Sequence, residues 1–195
     1  MEDHIVQMLA SIVSGLVGVV AGAVVSWFVN IRKQRLQNTL ELQREWQGES
    51  MAVVRMRADR LVRDHPGRSL LDMELQETPE SYSNILRLLT FYQRLYMLVR
   101  YRQVTTKLVP ELFGREFIWW HVNCFRDRLP EAWIMRRDWI ALHDWLQRKT
   151  NAEQMHLWSE AAERARKSRD VPVGLSGNVG LGDSPRSMEG LPVQA

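Results

Sequence analysis

His121 and Cys124 stand three residues apart, a spacing that offers two ligands to a zinc ion from one turn of a helix. A structural zinc site needs four ligands, and His65, His143 and His156 fall at no spacing that completes one. Cys124 therefore reads as a small buried apolar residue and His121 as a hydrogen-bonded or partly exposed one. His143-Asp144 pairs an imidazole with a carboxylate, but no serine stands in the strand-turn-helix context that makes a nucleophile for acyl transfer. Gly177-x-x-Gly180-x-Gly182 is rich in glycine, yet it follows no strand, opens no helix and has no lysine beside it, so it is neither a P-loop nor a dinucleotide fingerprint. No catalytic residue, metal or cofactor is expected, and the chain does not read as an enzyme.

The more unusual pattern is cationic. Arg87, Arg94, Arg100, Arg102 and Lys107 follow one another with no acid between Glu80 and Glu111. Three readings fit them: pairing with acids elsewhere, such as Glu41, Glu45 or Asp138, or plain solvation; contact of Arg87, Arg94, Arg100 and Arg102 with an anionic lipid surface; or contact with a nucleotide or nucleic acid, helped by the interleaved Tyr92, Tyr96 and Tyr101. The whole chain carries 26 Lys and Arg against 23 Asp and Glu, a net charge of +3. So mild a balance favours the first reading, and nucleic acid is not the expected partner.

The elements that position these residues read as helices throughout. Leu36, Leu40, Trp46, Met51, Val54, Ala58, Leu61 and Val62 recur at helical spacing, with Gly48 as a kink and His65-Pro66-Gly67 as the stop. A short helical turn is expected around Leu70 to Gln76. Thr78-Pro79-Glu80 opens the next helix, with Thr as N-cap, Pro where a missing N–H is no loss, and Glu near the positive end of the dipole. Its stripe of Tyr82, Ile85, Leu86, Leu89, Tyr92, Tyr96 and Val99 runs to about Gln103. Pro110 and Pro130 open two more helices, and a last one runs from Ala152 to Lys167. Seven tryptophans follow residue 32, more than these stripes absorb. Trp133 and Trp145 lie off the stripe of Met135, Trp139, Leu142 and Leu146, so they are candidate contacts for a partner.

The N-terminal region differs from the rest. Residues 5–31 carry no charged side chain, and as a helix they would extend about 40 Å, against a hydrocarbon core of roughly 30 Å. A membrane-spanning helix is predicted here, preceded by a short extracytoplasmic stretch at 1–4. Trp27, Arg32, Lys33 and Arg35 mark its cytoplasmic headgroup end. The chain would sit N-terminus out in a bacterial inner membrane, as a signal anchor; the acidic start and long apolar run do not fit a cleaved signal peptide, and a single cysteine agrees. Ser14, Gly18, Gly22 and Ser26 form a small-residue face suited to self-association of that helix. A helical stalk at 32–77, a helical domain at 78–167 and a tail at 168–195 complete the organisation. The tail, rich in glycine and proline and free of aromatic residues, is expected to be disordered.

Leu88-Leu89-Thr90-Phe91-Tyr92-Gln93, then Leu112-Phe113-Gly114, the aromatic cluster Phe117 to Trp120, and Trp139 to Leu146 make an order that, with the anchor, resembles small bacterial single-pass membrane proteins with an uncharacterised helical cytoplasmic domain. The resemblance covers residues 85–146 plus the anchor, and it implies an all-α fold and single-pass topology but no activity. Members often carry an acid where Gln93 stands, so no role of that acid is transferred. The function expected is that of a non-catalytic, membrane-tethered interaction or regulatory module with a protein partner, itself included. The alternatives are an effector that oligomerises and perturbs the bilayer, and a membrane-bound sensor of a nucleotide or nucleic acid.

Overall fold

The computed structural model describes the backbone of residues 2–169 and the side chains of residues 22–168. Described residues form α-helices with two π-helical turns and no strand. The helices are α1 (Glu2–Gln47), α2 (Glu49–Asp64), α3 (Leu70–Gln76), α4 (Pro79–Arg100), α5 (Arg115–Trp120), α6 (Ile134–Lys149) and α7 (Ala152–Arg169). The π-helical turns, Pro110–Gly114 and His121–Phe125, flank α5 directly. The disordered tail expected at 168–195 and the glycine motif at 177–182 lie outside the described residues, apart from the end of α7.

Local chemistry sets the element boundaries. Gly48 separates α1 from α2 with an extended backbone (ψ 150°), and a Cβ there would sit 3.3 Å from the carbonyl oxygens of Arg44 and Glu45. Gly67, at φ +73°, completes the turn after Pro66. Ser69 and Asp72 form a reciprocal capping box at the start of α3, and the Thr78 hydroxyl accepts from Ser81 N–H at 3.3 Å to open α4. Pro130 does not open α6; the helix begins four residues later, with Trp133 at the N-cap position but no side-chain capping bond.

α4 is the central helix, with α2 and α6 packed against it, while α7 covers α5 and the second π turn. Tyr92 of α4 sits in the middle of the aromatic core, its ring 5.1 Å from Trp46, 5.2 Å from Phe117 and 5.3 Å from Trp139. The segment expected as a stalk shares this core: Leu42, Trp46, Met51, Val54, Ala58, Leu61 and Val62 are all buried in it. Gly114 admits Trp158 of α7 so closely that a Cβ would lie 2.5 Å from the ring.

Among the described residues no helix is long and apolar enough to cross a membrane. This corrects the spanning helix expected at 5–31, and with it the signal anchor, the single-pass topology, the inner-membrane placement and the headgroup roles of Trp27, Arg32, Lys33 and Arg35. The physical reason lies in the continuity of α1. α1 is one unbroken helix from Glu2 to Gln47. The same unbroken helix then carries Arg32, Lys33 and Arg35 and ends in the core at Trp46. Ser14 and Gly18 of the small-residue face lie outside the described side chains. Gly22 and Ser26 are exposed on α1, and among the described residues, apart from α1's own backbone and Gly22's chain neighbours, nothing lies within 4 Å of where a Gly22 Cβ would stand. Trp27 and Phe28 are also exposed and meet edge to face at 5.1 Å.

Candidate anion-binding cleft

Four segments surround an open cleft of about 940 Å³. α1 contributes Arg32, Arg35 and Leu36, α4 contributes Tyr96, Val99 and Arg100, and α6 contributes Trp145 and Lys149. Arg102 and Lys107 come from the loop after α4. The described lining thus holds six cations and no Asp or Glu. Among the described residues none of the six forms an ion pair, and only Arg100 has a ring contact, with its guanidinium 6.0 Å from the Tyr101 ring centre.

The chain folds this way because α4 ends sharply. Arg102 N–H donates to Val99 O at 3.1 Å and Gln103 N–H donates to Leu98 O at 2.8 Å. These are the two bonds of a Schellman motif, in which Arg102 occupies the left-handed position at φ 55°. Glycine favours that position, and here an arginine fills it. The loop that follows is tied to α1: the buried Thr39 hydroxyl donates to Arg35 O at 2.7 Å and accepts from Thr105 N–H at 2.9 Å. Asn38 Nδ2 adds a bond of 2.9 Å to Gln103 O. α4 and α6 both bring their C-terminal ends here, and two helix ends together carry about one negative charge in dipole terms. Six cations exceed that severalfold, so the cleft is strongly positive.

The four arginines singled out from the sequence divide between two places. Arg100 and Arg102 enter the cleft. Arg94 instead pairs with Glu45, and Arg87 lies exposed beside it. Asp138, buried in α6, accepts from Gln93 Nε2 at 2.8 Å. Trp145 lines the cleft, whereas Trp133 is partly buried against the core. Lys33 is exposed on α1 and outside the cleft. Sequence reasoning passed over Lys149 entirely. Its only signal is a cation in the last turn of a helix, which normally needs no more than the dipole to explain it.

The residues inspected for chemistry are held in structural roles. Trp139 Nε1 donates to His121 Nδ1 at 2.9 Å, and the His121 ring stacks on His143 with centres 4.3 Å apart. Burial, then the neighbouring His143, lowers the His121 pKa to about 4, which keeps it neutral near pH 7. Cys124 is buried in the second π turn, and no group of three or more His, Cys, Asp or Glu among the described residues is placed to hold a metal. The Tyr92 hydroxyl is buried without a hydrogen-bond partner among the described residues. Burial pushes its pKa well up, so it holds its proton. Comparison of the chain with protein-family models, with curated proteins and with solved structures finds no match.

Proposed function

We propose that this protein is a non-catalytic interaction module that binds a multiply charged anionic ligand in the cleft between α1, the C-terminal ends of α4 and α6, and the loop 101–107. One observation carries the reading: six cations from four segments line one cleft with no described acid among them. Like charges gathered in this way repel one another, by about 1 kcal/mol for each close pair in water and less with salt. An anion relieves that repulsion, and guanidinium groups meet phosphate or carboxylate oxygens two at a time. The pairing of Arg94 with Glu45 shows that this fold satisfies cations with acids elsewhere on its surface, which makes the acid-free cleft the exception.

The test is titration of the full chain with inorganic polyphosphate at several salt concentrations. Binding that weakens steeply with salt, and that Arg100→Glu with Lys107→Glu abolishes, is expected. Arg60→Glu, which alters an exposed cation of α2 paired with Asp64, serves as the control and should leave binding intact. Equal loss in both variants, or no binding in the parent chain, would overturn the reading.

A further inference from the structure

Resting on the reading of the cleft as an anion site, we infer that its ligand is a short stretch of single-stranded nucleic acid, with phosphates on the arginines and lysines and bases stacked on Trp145 and Tyr96. Charge alone does not choose between an inorganic polyanion, an acidic peptide and a nucleic acid. The rings do. Trp145 on α6 and Tyr96 on α4 both line the cleft and are both half-buried, so each is fixed by packing against the core yet keeps part of its surface toward the cleft. An aromatic ring set among cations is the arrangement that takes a base and its phosphate together, and it is tolerant of base identity because every base has a flat face.

Count and size narrow the choice further. Six cations exceed the charge of a single nucleoside triphosphate, and two rings exceed its one base. The cleft, at about 940 Å³, lies near the upper end of the range for small-molecule pockets and is open rather than enclosed. Four of the six cations are arginines, whose planar fork matches phosphate geometry and also stacks on bases. A double helix, with its bases turned inward, would leave both rings without a partner.

The experiment uses the full chain and four probes of comparable charge: a short oligothymidylate, an abasic strand with the same sugar-phosphate backbone, a short duplex, and inorganic polyphosphate. The oligothymidylate is expected to bind tightest, with the logarithm of its affinity falling against that of salt with a slope of about −4 if all six cations engage, and about 1.4 units shallower when two are removed. Trp145→Ala should weaken the oligothymidylate about ten- to hundred-fold while leaving the abasic strand unchanged, and Trp145→Phe should restore most of the loss. If the abasic strand or polyphosphate binds as well as the oligothymidylate, base stacking is wrong while anion binding stands. Tighter binding of the duplex likewise overturns the single-strand assignment. If no probe binds, both readings fall. Should Trp145→Ala fail to fold, the comparison of oligothymidylate with the abasic strand decides the matter in the unaltered protein.

Discussion

His121 shows how a residue that looks chemical in the sequence becomes structural in the fold. Its spacing from Cys124 was legible, but the hydrogen bond from Trp139 and the stack on His143 were not, because both partners arrive from α6. Nothing in the sequence between Phe117 and Phe125 announces the widening of the helix into a π turn, and that turn alters the face on which His121 and Cys124 lie. The proton balance can be tested. A histidine held to about 4 when folded, against about 6.5 when unfolded, leaves the unfolded chain binding more protons between those values, so stability falls as pH drops from 6.5 toward 4. The loss from this one group is about 3 kcal/mol at most, less where solvent reaches the ring. Chemical denaturation followed across that range should show the slope, and His121→Gln, which keeps an acceptor for Trp139 without a titrating ring, should flatten it. An unchanged slope in the variant would assign the effect to other groups.

At the scale of the element, the end of α4 is the informative place. The start of that helix was plain in Thr78-Pro79-Glu80, and the N-cap bond is present. The apolar stripe alone carries the helix to about Gln103, and no glycine marks its end. Arg102 takes the left-handed conformation that glycine usually supplies, at a conformational cost of roughly 1–2 kcal/mol for a residue with a Cβ. Arg102→Gly is therefore expected to raise stability by about 1 kcal/mol in thermal or chemical denaturation, and at the same time to weaken polyphosphate binding by removing one cleft cation. Such a trade between stability and binding is the usual sign of strain kept at a working site. Loss of stability in the glycine variant would mean that the arginine side chain holds the loop through packing instead.

For the whole molecule, the helical stripes of α2, α4 and α6 were readable because each is a local period, and the all-α architecture follows from them. The cleft was not readable, since its cations stand at 32, 35, 100, 102, 107 and 149 and nothing local links them. A mild overall charge hid a concentrated one. Integration of the N-terminal half was equally hidden: Trp46, read as part of a stalk, packs with its ring centre 4.8 Å from that of Phe91 and 5.1 Å from that of Tyr92. Trp46→Ala should consequently destabilise the whole domain by about 3–5 kcal/mol, with α4 melting in the same transition when followed by hydrogen exchange. Persistence of α4 protection would instead make α1 a separate unit. The bond of Thr39 across α1 and the loop bears on how any ligand would be held. One buried hydroxyl fixes Arg35 and Thr105 relative to each other before anything arrives, so little backbone order remains to be imposed by association. Affinity would then be set by the side chains alone, with loss of a rim cation registering in how quickly an anion enters and in its salt dependence, and loss of a stacking ring in how quickly the ligand leaves.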